Sequence, residues 1–434
     1  MTQMSDPVNL DSALFINQVD DAELKCVLSQ FFPYASCGSL SNEVQFYRRG
    51  EPGVIKLIYK GGELISAIGT PELRPEDIQL LTEKVRREVI ETSGRLVARC
   101  ILLSSYRVNG SFVYGDKLRI FPVPEHAPKA PDLTEEQYFA EHLTVEHPFV
   151  AEFPINRSVN PFVQIGRLES QARKYALLLN LFLEGNVKRT PRGRQRHWVH
   201  EEGMDLSTGY RYLREDYRYS GFGDIGPDVL PIGSHPLTFS SVEHFSPMET
   251  MEYYEYFSNP RQELNPPMRV PALLMTFFDR FESLEKAERD QFMRAAFWFQ
   301  HASSVWEESN SAAYLAIISS IETLVPPAMS VEKCMQCGTP LNNGPTKRFV
   351  KFVNEMVPVF EENIKERQRL YRLRSALTHG GDLFQADSAS AVSMGGINPK
   401  SAAEYHSHII AMNLARQILL NWLLKKTGGW PTLD

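Results

Sequence analysis

Between Phe292 and Trp422 the apolar residues fall at intervals of three and four, run after run, and this periodicity limits the fold more than any other feature of the chain. Phe292, Ala295, Ala296, Phe299, Ala302 and Trp306 form one run, and Tyr314, Ile317, Ile318, Ile321, Leu324 and Val325 the next. Phe349, Phe352, Val353, Met356 and Phe360 form a third. Such spacing gathers the apolar side chains on one helical face, because the α-helix turns once in about 3.6 residues. A fourth helix is predicted from about Glu361 to His379, with Leu370, Leu373 and Leu377 inward. A fifth is predicted from about Ala402 to Lys426, with Ala411, Leu414, Ile418 and Trp422 inward. Helices with narrow apolar stripes and short connections pack side by side, so an antiparallel bundle is expected.

Residues 1–150 carry another pattern and read as a mixed α/β region. Val54–Tyr59 and Glu63–Ile68 are short apolar runs separated by Lys60-Gly61-Gly62, which suits a hairpin. Pro75, Glu76 and Asp77 mark a helix start, and Ile78, Leu81, Val85 and Val89 continue it at helical spacing. Leu96–Leu103 and Leu118–Val123 read as strands, and the proline-rich PVPEHAPKAPDL as a linker or long loop. Residues 151–265 form a middle region that either stands alone or belongs to the N-terminal domain. It has an apolar helical face over Leu168–Leu183, followed by the basic stretch NVKRTPRGRQRHWVH. The segment SNPRQELNPPMRVP holds four prolines, and the bundle, residues 266–434, is placed after it. The fold class expected is α+β: a mixed α/β N-terminal region followed by a C-terminal antiparallel helical bundle.

Composition narrows the function classes. Apolar residues make up 43% of the 434, enough for a sizeable core. A net charge of −7 argues against a chain that coats nucleic acid indiscriminately, while leaving room for a local basic site. Five cysteines, an odd and sparse set, do not read as a disulfide framework. The start MTQMSDPVNLDSALF lacks the features of a signal peptide, and no apolar stretch approaches the roughly 20 residues that cross a bilayer. A cytoplasmic protein with no membrane partner is expected. Phosphate loops, H-E-x-x-H and G-x-S-x-G are all missing from the sequence, so triphosphatases, zinc proteases and α/β-hydrolases have no motif support.

The predicted fourth helix ends in Tyr371-Arg372-Leu373-Arg374-Ser375-Ala376-Leu377-Thr378-His379-Gly380-Gly381. An arginine followed five positions later by a histidine has little meaning alone, since about one such match per chain arises by chance. Arg192 to His197 in the basic stretch is taken as that chance match. The context of Arg374 is more specific. YRLRSALTHGG resembles the Y-x-x-R-S-x-x-x-H-G signature of HEPN domains, most closely the Apea-like branch, with Tyr371, Arg374, Ser375, His379 and Gly380 in register. AAYLAIISSIETLVPP resembles the first bundle helix of that family, with Glu322 in the acidic position, and RAAFWFQHASS resembles the same branch. The resemblance covers about residues 270–425.

That resemblance implies metal-independent cleavage of RNA by attack of a 2′-hydroxyl on the adjacent phosphorus, with no cofactor and no metal. His379 would move the proton, being the side chain that titrates near neutral pH. Arg374 would offset charge growing on the phosphorane, and Ser375, one turn from His379, would orient either side chain. Tyr371 is carried as a substrate-binding residue. On an ideal helix Arg374 and His379 point about 140° apart. They converge only where the helix loosens near its glycine-rich end or where a second chain contributes. The family's usual pairing of two bundles implies a homodimer. The resemblance further implies a role in prokaryotic defence or growth arrest, with the N-terminal region receiving an activating ligand or protein. Two alternatives stand beside this. Arg374 can be a surface residue paired with nearby acids while His379 complements the helix dipole. Some family members bind nucleotides or partners without cutting.

Two other clusters carry weaker signals. Arg189, Arg192, Arg194, Arg196 and Trp198 combine cations with an aromatic ring, and GYRYLREDYRYSGFGD follows, so an RNA-gripping surface is expected there beside the plainer reading of a solvated loop. Cys334-Met335-Gln336-Cys337 is half of a zinc site with no second half nearby, and reads as a remnant or a plain loop.

Overall fold

A computed structural model describes residues 7–37, 42–50, 53–91, 94–122, 147–189, 239, 241–258, 267–306, 308–327, 344–357, 361–387 and 399–429. The architecture is mixed: two antiparallel sheets in the N-terminal part, with helices mostly C-terminal.

The first sheet has the order β1 (Val8–Asn9), β5 (Glu63–Gly69), β4 (Val54–Lys60), β3 (Glu43–Tyr47), β2 (Tyr34–Cys37). The β4–β5 hairpin closes where Lys60 pairs with Glu63, and Gly61 and Gly62 take φ values of +61° and +87°. Those left-handed angles suit the two-residue turn, and glycine adopts them without a Cβ clash. Two helices cover the sheet: α1 (Asp21–Phe31), capped by the Asp20 carboxylate on the Ala22 and Glu23 amides, and α2 (Pro75–Val85). A π-helical turn, Arg86–Ile90, extends α2, so Val89 still faces inward. Leu24, Leu28, Ile55, Leu57, Leu81 and Val85 form the centre of this first core.

The second sheet has the order β10 (Lys188–Arg189), β6 (Arg95–Ser104), β9 (His147–Asn156), β8 (Leu118–Pro122), β7 (Phe112–Tyr114). Strands β6 and β9 pair along their whole length, from Arg95 opposite Asn156 to Ser104 opposite His147. The long helix α3 (Pro161–Phe182) crosses from one core to the other. Val163, in its first turn, belongs to the first core, whereas Leu168, Ala172 and Leu177–Phe182 belong to the second. A buried polar junction sits at its start. Asn160 caps α3 through the Phe162 and Val163 amides and donates to Glu88 Oε2 at 2.7 Å. Arg167 holds Glu23 through two bonds of 2.7 Å and also reaches the Val89 carbonyl.

Beyond β11 (Thr250–Met251), α4 (Tyr253–Ser258) and β12 (Val270–Pro271) the chain becomes helical: α5 (Leu274–Ser283), α6 (Lys286–Val305), α7 (Asn310–Glu322), α8 (Pro345–Met356), α9 (Glu361–Thr378) and α10 (Pro399–Lys426). The periodic residues face inward as expected: Phe292, Phe299, Tyr314, Ile317, Phe349, Phe352, Ala411 and Ile418 are buried. Phe360 lies outside the described residues. No helix among the described residues is long and apolar enough to cross a membrane.

The cores do not divide where composition changes. A single apolar cluster runs from Leu96 in β6 to Leu424 in α10, across the positions 150 and 265 at which boundaries were expected. Phe278 of α5 explains it: its ring lies 5.1 Å from Tyr114 of β7 and 5.3 Å from Phe182 of α3. The Tyr114 hydroxyl also donates to Asp279 at 2.6 Å. The second sheet is therefore packed with the helices as one body, and the first core is the smaller unit.

Candidate active site

Helix α9 keeps its hydrogen-bond ladder to its last turn, and His379 N–H still bonds the Ser375 carbonyl at 3.1 Å. The chain then stops being helical at one residue. Gly380 takes φ +70°, its N–H bonds the Leu377 carbonyl, and Gly381 N–H bonds the Ala376 carbonyl at 2.9 Å. This is a Schellman ending, with Gly380 supplying the left-handed residue and His379 as the cap. The helix does not loosen ahead of His379, so Arg374 and His379 keep their divergent directions within one chain. Gly380→Ala has open space for its methyl group, so only backbone strain opposes it. The expected loss is about 1–2 kcal/mol, read from the midpoint of chemical denaturation.

The segment after the cap is fastened at three points. Phe384 is 1% exposed, and its N–H bonds Ser311 Oγ. Gln385 N–H bonds Glu404 of α10 at 2.8 Å. The Asp387 carboxylate accepts from the Asn310 and Ser311 amides and from the Ser309 hydroxyl, at the positive end of α7. Burial works to raise its pKa, but these hydrogen bonds outweigh burial and hold it below the usual carboxylate range. Its contribution to stability is therefore complete above the unfolded carboxylate pKa and is lost as pH falls through the lower folded value. Asp387→Asn should flatten the fall in melting temperature between neutral pH and about pH 3, followed by circular dichroism. An unchanged acid limb would remove this residue from the account.

Glu322, the last residue of α7, organises the inner side of α9. Its Oε1 accepts from the Tyr371 hydroxyl at 3.0 Å, and its Oε2 accepts from Arg374 Nη2 at 3.0 Å. Arg374 lies 5.7 Å from the centroid of the Tyr371 ring. Burial, then the charge of Glu322 and its hydrogen bond, raises the Tyr371 pKa, with Arg374 and Arg348 opposing. Tyr371 does not offer its ring to a ligand. It is 7% exposed and packs on Phe349 at 4.7 Å, so its part is to hold Glu322. Arg348 of α8, whose buried Nε has no hydrogen-bond partner, is a cation that the sequence reading missed. Nothing marks it in the sequence, because only packing of α8 on α9 brings it near.

His379 is exposed, and its side chain has no hydrogen-bond partner among the described residues. Ser375 is half-buried, with its carbonyl engaged by His379 N–H and no side-chain hydrogen bond among the described residues. The structure thus unites Glu322, Tyr371 and Arg374 around one carboxylate, and sets His379 apart at the helix tip. Arg189 lies elsewhere, on the edge strand β10, where both oxygens of Glu169 grip its guanidinium. Arg192, Arg194, Arg196 and Trp198 lie outside the described residues, as do Cys334 and Cys337. No protein-family model matches the chain, and neither does any curated protein or solved structure.

Proposed function

We propose that the C-terminal helices form a HEPN-like bundle that cleaves RNA without a metal, as a homodimer, with Arg374 and His379 as its working residues. One observation carries this reading. A histidine stands exposed and unbonded at a rigid helix tip, one turn beyond an arginine held in place by a buried tyrosine and a carboxylate. Only Nη2 of Arg374 is engaged by Glu322, which leaves the other donors of the guanidinium for phosphate oxygens.

In the step itself the 2′-oxygen forms a bond to phosphorus and the bond from phosphorus to the 5′-oxygen breaks. The products are a 2′,3′-cyclic phosphate and a 5′-hydroxyl. One His379 takes the 2′-hydroxyl proton, and the 5′-oxygen leaves with a proton supplied by the other copy. Arg374 offsets the charge that accumulates on the non-bridging oxygens. Two features support pairing of two chains. Within one chain the helix holds the two side chains apart, as its intact last turn shows. Beside the motif, Leu383, Tyr405 and Ile409 are 54%, 56% and 38% exposed, an apolar face suited to a second copy. The N-terminal part would receive the trigger or position the RNA, in prokaryotic defence or growth arrest.

Incubating the full chain with mixed RNA in EDTA tests the reading. The expected products end in cyclic phosphates. RNA left intact at high protein concentration would favour a second reading, a nucleotide- or partner-binding module. That reading draws on the ion pair itself, since Glu322 neutralises Arg374 and ties α7 to α9 as a purely structural bridge would.

A further inference from the structure

A groove of about 1070 Å³ runs between α3, β10 and α6, with the buried core residues Leu103, Leu177 and Phe281 in its lining. Six cationic side chains line it against two carboxylates, in a chain whose net charge is −7. Its wall is built on one stripe of α6, where Asp290, Met293, Arg294, Phe297 and Trp298 recur at three and four. Glu169 occupies Arg189, and Glu282 occupies Lys174 at 2.9 Å. Arg173 and Arg294 are exposed and have no ion-pair partner among the described residues. Aromatic rings stand between these cations. Trp298 is 38% exposed, and its ring lies 5.5 Å from Phe297, itself stacked on His301 at 8°. Arg173 sits over the Phe297 ring at 5.3 Å.

We infer that this groove binds single-stranded RNA, with Arg173 and Arg294 on phosphates and Trp298 stacked on a base. Charge complementarity and an exposed ring between cations select an unpaired nucleic acid strand. Phosphates need only the cations, but a tryptophan face left in water gains most from an unpaired base. A duplex keeps its bases stacked inside, and an acidic peptide has no flat face to offer. The groove is physically joined to the candidate active site. Gln291, one helical turn before Arg294, donates to the Thr323 carbonyl at 2.8 Å and so holds the end of α7 beside Glu322. The inference takes its choice of RNA from the proposed cleavage, but it concerns binding and is tested without cleavage.

The probe is a fluorescein-labelled 2′-O-methyl RNA 12-mer, which lacks the attacking hydroxyl, titrated with the full chain and followed by anisotropy. The double variant Arg173→Ala/Arg294→Ala should bind at least about 10-fold more weakly and lower the log–log salt slope by about 1.4, two phosphate contacts at about 0.7 each on a single strand. Trp298→Ala should weaken binding by about 5-fold or more, and Trp298→Phe should restore most of it. The same sequence as a duplex, and polyglutamate, should compete far less well than the single strand. Unchanged binding by Trp298→Ala, or polyglutamate competing as well as RNA, would overturn the proposal in favour of a general polyanion surface. Failure of ordinary RNA to be cut while the groove still binds the probe would count against the ribonuclease alone. Cleavage that ignores the groove variants, with no probe bound, would count against the groove alone.

Discussion

On the proposed cleavage, His379→Ala should lower the rate by about 10²–10⁴-fold, the usual worth of a positioned proton-transfer group, with no shift in melting temperature. The two halves of this expectation rest on the same observation. The imidazole is exposed and makes no hydrogen bond within the described residues, so nothing in the fold depends on it. The cap it occupies is held by backbone bonds from His379, Gly380 and Gly381, which alanine retains. Lost activity with an unchanged unfolding curve therefore reports chemistry. The contrast is Glu322→Ala, where the Tyr371 hydroxyl and Arg374 both lose an acceptor. Cleavage by His379→Ala at the parental rate would remove this residue from the mechanism.

Phe292→Ala should destabilise the helical part by about 3–5 kcal/mol, the range for emptying a buried phenylalanine site. Phe292 is fully buried in α6, 5.9 Å from Phe281 of α5 and 5.9 Å from Trp422 of α10, with the last pair of rings 17° from parallel. Three helices thus meet on one ring. Urea denaturation should show an earlier midpoint at unchanged slope. A midpoint within experimental error of the parent would mean that the site collapses freely. The same variant gives a useful control for cleavage, since its defect is in stability and not at the helix tip.

Local patterns in this chain were readable and long-range ones were not. The helical runs from Phe292 onward, the Lys60–Glu63 turn and the end of α9 at the glycine pair all follow from spacing and backbone preference, and each is present. The pairing of β6 with β9 joins residues separated by the proline-rich stretch, and no local preference encodes a partner so distant. Helix α5 was missed because prolines crowd its approach and its phenylalanines follow one another closely. Its role in fusing the second sheet to the helices went unseen for the same reason. At the site, Arg374 and His379 were legible as a motif, and Glu322 as a matching acid. The hydrogen bonds that make Tyr371 a support for Glu322 depend on how α7 lies across α9. The burial of the Tyr371 ring against Phe349 depends likewise on α8.

The apolar cluster that runs unbroken from β6 to α10 has a consequence for how such a protein can be used. A fragment starting near residue 266 would present Phe277 and Phe278 to water, stripped of Tyr114, Tyr175 and Phe182. Cutting the chain there would therefore expose a core surface rather than free a self-contained helical half. The first core is joined to this body through the Asn160–Glu88 contact and the first turn of α3, where Val163 belongs to the smaller cluster.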